Sequence, residues 1–374
     1  HMQCCVIQQS AEDDYDSYFE DTMKAGHYEN DAYSVELMIK SSPDVIQDLI
    51  SYGVDFERNE DGSLAFTREG AHSQKRILYH EDITGKEITR HLLEKVRQKK
   101  NVTLLENTPL VDLIVRGNVA LGGVIKRNNQ EEKVYAKKVV LAPGRDGSAW
   151  LTKVLSNQGL KLYNNQVDIG VRVETSNIVM EEINKNLYEG KFVYNTSVGT
   201  KVRTFCSNPS GHVVIENHSG TMLANGHAYH DPKLGSKNTN FALLVSHTFS
   251  EPFNEPNEFA HEISKLANKL SNGSVIVQRY GDIKRGRRTT YKRLKEGYTD
   301  PTLPEAVPGD LGLVLPYNTM KSIIEMIEAL DNVTPGIANE HTLLYGVEAK
   351  FYSARPKVRD GFESEIDDLY VAGD

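Results

Sequence analysis

One short polar segment carries the residue types that are needed to oxidise a carbon beside a carboxylate: Thr67-Arg68-Glu69-Gly70-Ala71-His72-Ser73. Such a reaction needs a fixed cation to orient the substrate and a group that handles a proton. Arg68 suits the first role, because a guanidinium pairs with a carboxylate through two parallel hydrogen bonds. Glu69 is a candidate for the second, and His72 lies beside it in the segment. An ordinary surface loop with local ion pairs is the alternative, and spacing alone favours it.

Other titratable residues give weaker signals. The histidine pairs His227 with His230 and His72 with His80 have no Cys or carboxylate at metal-ligand spacing, so we expect no metal site. We expect Cys206 to be a small buried hydrophobic residue. A basic run forms either a solvated face or an anion site for a substrate carboxylate or cofactor phosphate. It consists of Lys284, Arg285, Arg287, Arg288, Lys292 and Arg293.

Composition limits the classes of protein. The 374 residues predict about two domains, and 39% hydrophobic with 25% charged residues is typical of a globular chain. The net charge of −9 disfavours a nucleic-acid partner held through its phosphates. No apolar stretch approaches the roughly 18 residues that span a bilayer, and no secretory signal opens the chain. Three cysteines, two of them adjacent, predict a reducing, cytoplasmic location. The oligomeric state is left open.

The first hundred residues have helical signals. Residues 12–53 are predicted to be helical, with a restart at Ser42-Pro43, where Ser42 caps the second helix. Residues 59–62 are predicted to form a turn between two short strands. Thr84 and Glu87 have the spacing of a capping box ahead of a further amphipathic helix.

Strand patterns follow Asn101. Residues 102–105, 110–115, 119–125 and 134–141 are short, rich in β-branched residues and separated by polar turns. Amphipathic helices are predicted near 257–270 and 318–330, a strand at 274–278, and a last strand from 369. This mixture predicts an α/β fold in a mixed α+β form. We expect a first region at 1–150, a second domain at 151–355, and a return strand within 356–374.

Two groups of segments resemble known families. Residues 11–115 resemble the flavoprotein family of L-aspartate oxidase, fumarate reductase and succinate dehydrogenase, most closely L-aspartate oxidase. The segments that carry this resemblance are DSYFEDTMKAG (16–26), LISYGVDFER (49–58), LAFTREGAHSQKRIL (64–78) and DITGKEI (82–88). Residues 139–374 resemble uncharacterised FAD-dependent dehydrogenases. Here the segments are VVLAPGRDGSAWL (139–151), VDIGVRVE (167–174), NTNFALLVS (238–246), GDIKRGRRTT (281–290), PGDLGLVLP (308–316), YGVEAKFYSAR (345–355) and LYVAGD (369–374).

Both resemblances imply a glutathione-reductase-like fold, in which a Rossmann-like FAD-binding domain is interrupted by a substrate or cap domain. They imply FAD as cofactor and a small carboxylate or amino acid as substrate. The resemblance to L-aspartate oxidase places Glu69 in the active site with Arg68 and His72 beside it. The residues that they imply for cofactor binding are Ser73, Ala142, Gly144, Gly373 and Asp374. We also expect strands 139–142 and 369–372 to be neighbours in one sheet, since each ends in a cofactor-type turn.

The sequence departs from these families at the turn that holds the FAD pyrophosphate. No G-x-G-x-x-G occurs in it, and Gln3-Cys4-Cys5 stands where the family has Gln-Gly-Gly. We therefore expect an incomplete FAD-binding domain that binds FAD weakly or not at all, beside an unpaired apolar sheet edge. The alternative to an oxidoreductase, or a piece of one, is a non-catalytic, cofactor-free domain or a composite chain.

Overall fold

Helices and strands alternate along the chain in a computed structural model, which confirms the predicted mixed α/β class. The residues it describes are 14–26, 28, 30–68, 72–81, 83–144, 147–162, 166–186, 190–229, 231–250, 252–253, 255–352 and 355–372. The helices in this part of the chain are α1 Tyr15–Ala25, α2 Ala32–Ser51, α3 Thr84–Gln98, α4 Ser148–Asn157, α5 Glu181–Asn186, α6 Pro256–Leu270, α7 Tyr280–Lys284, α8 Tyr291–Lys295 and α9 Tyr317–Leu330. Short 3₁₀ turns lie at Pro232–Leu234, Leu311–Leu313 and Asp360–Phe362.

The strands form four sheets. They are β1 Leu110–Arg116, β2 Val119–Arg127, β3 Gln130–Tyr135, β4 Val139–Leu141, β5 Gln166–Ser176, β6 Val193–Asn195, β7 Lys201–Asn208, β8 His212–His218, β9 Thr221–His227, β10 Asn238–Thr248, β11 Ile276–Arg279, β12 Val307–Pro308, β13 Leu343–Lys350 and β14 Leu369–Val371. The sheet orders are β1-β2-β3, β12-β11-β13-β5-β10-β7-β6, β14-β4 and β8-β9.

The second helix does not restart at Ser42, so that prediction is wrong. Helix α2 continues through Pro43, whose nitrogen has no hydrogen to donate to the Ile39 carbonyl. The buried Ser42 hydroxyl donates to that carbonyl instead, at 2.8 Å. Because the carbonyl is satisfied in this way, the helix passes the proline without a break.

The predicted capping box of α3 is also wrong. Ile83 precedes the helix without a side-chain cap, and the Thr84 hydroxyl accepts a hydrogen bond from the His80 N–H at 3.0 Å. Glu87 is buried and receives hydrogen bonds from Arg90, at 2.9 and 3.1 Å, and from the N–H of Asp55 at 3.4 Å. The carboxylate is therefore engaged by groups other than the first turn of its own helix.

The strand predictions after Asn101 hold for β1 and β2, but residues 102–105 are not a strand. Their side chains are exposed, and in the described residues no pairing partner lies beside them. The predicted strand 134–141 divides into the end of β3 and the whole of β4, because the N–H of Ala136 turns to the carbonyl of Leu121 at 2.9 Å. The turn at 59–62 forms as predicted, between single bridge residues rather than strands.

Strands β4 and β14 are parallel neighbours, as predicted, although about 230 residues separate them. Leu369 lies opposite Val139, and Val371 lies opposite Leu141. Their apolar side chains pack in one cluster with β1, β2 and α4. Residues near 110–155 and residues near 366–371 therefore pack together in one apolar cluster.

The seven-stranded sheet builds the largest core. Alternate residues of β5, such as Val171 and Val173, are fully buried with α6 and α9 on one face of the sheet. The helices predicted at 257–270 and 318–330 are α6 and α9, and β11 lies at the strand predicted at 274–278. Across the described ranges, no helix combines the length and apolar character that a bilayer span needs.

Candidate functional site

A bridge between Thr67 and Ile77 closes the loop that carries the predicted catalytic residues. Each residue donates its N–H to the other's carbonyl, at 2.9 and 3.0 Å. Arg68 follows Thr67 and is exposed, and His72 is half-buried further along the loop. Glu69 lies outside the described residues. The loop thus presents Arg68 to solvent from an anchored base.

Arg76 fastens this loop to α1. Its side chain is fully buried, and Nη1 lies 2.7 Å from Oδ2 of Asp21. Nη2 donates to the Ser17 hydroxyl at 3.2 Å, and the guanidinium lies 4.8 Å from the Tyr18 ring centre. Nη1 is also 3.3 Å from Nδ1 of His72. The position of His72 therefore depends on a buried cation.

Asp21 gathers the donors at this junction. Oδ2 accepts from the N–H and the hydroxyl of Ser73, both at 2.7 Å, as well as from Arg76. Burial opposes ionisation of Asp21, but the Ser73 and Arg76 hydrogen bonds outweigh it and hold the pKa of Asp21 below its ordinary value. The ionised carboxylate therefore links Ser73, a predicted cofactor residue, to the same network as His72.

The second part of the predicted site lies at the ends of β4 and β14. The N–H of Ala372 donates to the Leu141 carbonyl at 2.9 Å, which brings Ala372 level with Ala142. Ala142 and Gly144 are exposed. Gly144 has φ of +63°, and a Cβ built on it meets no atom within 4 Å. The carboxyl ends of this parallel pair are thus open, where α/β sheets bind ligands. Gly373 and Asp374 lie outside the described residues.

Helix α4 begins just after this turn and is tied to the second part of the chain. The Asn257 amide lies 3.4 Å from the hydroxyl of Ser148, the first residue of α4. The same amide donates to the carbonyl of Tyr352 at 2.7 Å. The cofactor-type turn therefore lies next to the end of the seven-stranded sheet.

The predicted residues fall into two groups. Arg68, His72 and Ser73 lie with α1, whose apolar residues pack with residues of the 14–98 region. Ala142 and Gly144 lie with β14 and α4 in a separate cluster. Sequence reasoning missed Arg76 and Asp21, because no local pattern relates residues that are this far apart.

The basic run and Cys206 do not join either group of predicted site residues. Within the basic run, Arg285 Nη1 lies 3.0 Å from Glu340, and Arg287 Nε lies 2.7 Å from Asp282. This pairing favours the solvated face over the anion site. The expectation that Cys206 is buried is wrong: it is exposed, with φ of +42°, where β7 changes register against β10. No group of three His, Cys, Asp or Glu that could hold a metal ion occurs in the described ranges.

Comparisons with known proteins relate both parts of the chain to FAD-dependent proteins. Residues 4–167 match the family described as FAD binding domain, and residues 166–351 match the FAD-dependent protein, C-terminal domain-like family. Both parts of the chain are therefore similar to families of FAD-dependent proteins, and the join between the two families falls at the start of β5.

Individual proteins are similar to part of the chain. The chain is 41% identical to L-aspartate oxidase of Clostridium perfringens over 160 residues, which are 43% of this chain and 36% of that protein. It is 38% identical to L-aspartate oxidase of Clostridium acetobutylicum over 141 residues, which are 38% of this chain and 32% of that protein. The chain thus spans about a third of these relatives. A solved quinol-fumarate reductase covers 99% of this chain and 57% of its own, with a TM-score of 0.50 and 16% identity, which shows a shared fold.

Proposed function

We propose that this chain is part of an FAD-dependent oxidoreductase that acts on a small carboxylate or amino acid. One observation carries the proposal: β4 and β14 pair in parallel and end together beside α4, with open carboxyl ends. The similarity to L-aspartate oxidases and to the FAD binding domain family supports the choice of cofactor and of substrate class.

The strand ends fit the close approach of a flat, hydrogen-bonding group. Ala142 presents a small side chain, and Gly144 leaves open space above a backbone conformation that side chains disfavour. FAD, when bound, supplies the acceptor for the hydride that leaves the substrate carbon. Ala142, Gly144, Gly373 and Asp374 are the proposed cofactor residues. Ser73 is also a proposed cofactor residue. Its N–H and hydroxyl already donate to Asp21, so its carbonyl is the backbone group that could contact the cofactor.

The loop 67–77 is proposed to supply the substrate contacts. Arg68 is exposed and carries the fork that orients a carboxylate. His72, held near Arg76, and Glu69 are the proposed groups that take up a proton. The buried pair of Arg76 and Asp21 acts through the loop's position, because neither side chain reaches solvent to any large extent.

The test begins with cofactor. Titration of the chain with FAD in a calorimeter should reveal binding, and Gly144→Val should weaken it, while Gly199→Val, a second glycine at positive φ with open space, should not. Loaded chain should then oxidise an amino acid or dicarboxylate. Glu69→Gln should lower turnover by about 10²–10⁴-fold without changing flavin content. Arg68→Lys should raise KM more than it lowers kcat, and Arg58→Lys serves as its control.

A cofactor-free, non-catalytic role is the second candidate. It is favoured by Gln3-Cys4-Cys5, which stands where the family has Gln-Gly-Gly, so that two side chains occupy positions where bare backbone approaches the flavin. Each lost hydrogen bond to the charged cofactor costs roughly 1.5–3 kcal/mol, and the loss of about three lowers the affinity for FAD by some three to six orders of magnitude. FAD binding in the millimolar range, or none, supports this candidate, whereas sub-micromolar binding contradicts it.

A further inference from the structure

The polar face of the seven-stranded sheet carries two separate charged clusters along β5. Asp168, Arg172 and Glu174 alternate along β5 with the apolar residues that face the helices. Hairpin β8–β9 covers Arg172, which donates to Asn225 at 3.0 Å and pairs with Glu348 at 2.8 Å. Asp168 lies at the other end of the strand, beyond this covered network.

Asp168 and Arg203 form an ion pair with capacity left over. Oδ2 of Asp168 accepts from Arg203 Nη2 at 2.8 Å and from the Tyr352 hydroxyl at 2.5 Å. Oδ1 of Asp168 and Nε of Arg203 are both buried, and neither has a hydrogen-bond partner among the described residues. Buried polar groups are nearly always paired. One ion pair therefore offers an unused acceptor and an unused donor.

An aromatic ring between two cations flanks this pair. The guanidinium of Arg203 and the ammonium of Lys350 each lie 5.0 Å from the ring centre of Phe205. Lys350 is exposed, Phe205 is half-buried, and Arg203 keeps 23% of its side-chain surface. The cluster therefore has its exposed edge at Lys350, and its two cations can attract a carboxylate.

The cluster lies close to the cofactor-type turn. Tyr352 joins Asp168 through its hydroxyl and Asn257 through its carbonyl, and Asn257 reaches Ser148 at the start of α4. The unused donor and acceptor are thus connected by a short chain of hydrogen bonds to the helix that follows β4.

We propose that Asp168, Arg203, Phe205 and Lys350 form a second ligand site, for a small carboxylate with a hydrogen-bond donor on its α-carbon. The carboxylate is held by Arg203 Nε and Lys350, and the α-amino or α-hydroxyl group donates to Asp168 Oδ1. A carboxylate without such a donor satisfies only Arg203 and leaves Asp168 unpaired. Both unused atoms are covered in the structure, so neighbouring side chains must shift to admit the ligand.

This inference is independent of the flavin, so its test uses the full chain without added FAD. The probes are L-alanine, L-lactate and propionate, which share a three-carbon skeleton and differ only at the α-carbon. Calorimetry at neutral pH should give saturable binding of L-alanine or L-lactate. Propionate should bind about tenfold more weakly or worse, the effect of one charge-assisted hydrogen bond. If L-alanine binds more tightly than L-lactate, the preferred donor is an ammonium group; if L-lactate binds more tightly, it is a hydroxyl group.

Two variants test the residues. Asp168→Asn should remove the preference over propionate, with folding checked by circular dichroism because it leaves Arg203 without its carboxylate. Lys350→Gln lies on the surface and should fold normally, with affinity for every probe reduced about two- to fivefold. Lys185→Gln, at an exposed cation on α5, is the matched control. Equal binding of the three probes, or no saturable heat from any of them, overturns the proposal and assigns the unused atoms to water. Neither result bears on the FAD titration, which tests the proposed function separately.

Discussion

Substituting Asp21 should destabilise the fold more than substituting Arg76, although the two residues form one ion pair. Asp21→Asn takes the Asp21 carboxylate away from Arg76, whose side chain is 0% exposed, whereas Arg76→Met leaves Asp21 with 15% of its side chain in solvent and two hydrogen bonds from Ser73. Removing one partner of a buried pair costs about 3–5 kcal/mol when the other stays buried. We therefore expect Asp21→Asn to lower the free energy of unfolding by about 3–5 kcal/mol. Arg76→Met should cost about 1–3 kcal/mol, the worth of its lost hydrogen bonds.

The double variant Asp21→Asn with Arg76→Met completes the cycle. Since it removes the buried cation together with its carboxylate, it should be more stable than Asp21→Asn alone by at least about 1 kcal/mol. Hydrogen exchange of α1 and the loop 67–77 is the suitable measurement, because it reports the local free energy of opening in a chain of several packed clusters. The only tryptophan, Trp150, lies elsewhere and is a poor probe.

The sign of the pH dependence follows from Asp21. Its folded pKa lies below the ordinary value of 3.8, so its contribution is complete above that value and is lost as pH falls through the folded pKa. The gap in protection between wild type and Asp21→Asn should therefore narrow below about pH 4. If Arg76→Met costs as much as Asp21→Asn, or if the two changes simply add, the burial argument is refuted.

Four further outcomes are expected. Burial lowers the pKa of His247, so the unfolded chain binds more protons below about pH 6.5 and stability declines there; thermal unfolding of His247→Gln should depend less on pH between 5 and 7.5. Cys206 is exposed and should be alkylated in the folded chain, as peptide mass mapping would detect; protection would contradict its placement. A Cβ on Gly170 would lie 1.9 Å from the Leu243 carbonyl oxygen, so Gly170→Ala should disrupt the seven-stranded sheet, as circular dichroism would record. Gly144→Ala, with open space but positive φ, should cost only about 1–2 kcal/mol.

Elements with strong periodicity were predictable from the sequence. Helices α6 and α9 carry a continuous apolar stripe, and their bounds lie within one residue of the prediction. The pairing of β4 with β14 followed from their turn chemistry, because both end in small residues after an apolar run. Patterns of this kind depend on which face a whole element buries, and the sequence records that directly.

Features that depend on single contacts were not predictable. The apolar residues 102–105 have the composition of a strand, but a strand needs a neighbour and the described structure places none beside them. Helix α2 passes Pro43 because one hydroxyl, that of Ser42, reaches a carbonyl three residues back. The site shows the same limit, since Arg76 is fully buried although charged residues are rarely so, and its partner Asp21 is distant in the chain.

The pairing of β4 with β14 has a consequence for the order of events during synthesis. Strand β14, the partner of β4, is translated about 230 residues after it. At about 5–20 residues per second, the ribosome takes roughly 10–50 s to supply it. During that interval the apolar residues of β4 and α4 lack the cover of Leu369, which is fully buried in the finished fold. The seven strands of the large sheet are encoded within that interval, so this sheet has time to form before β14 pairs with β4.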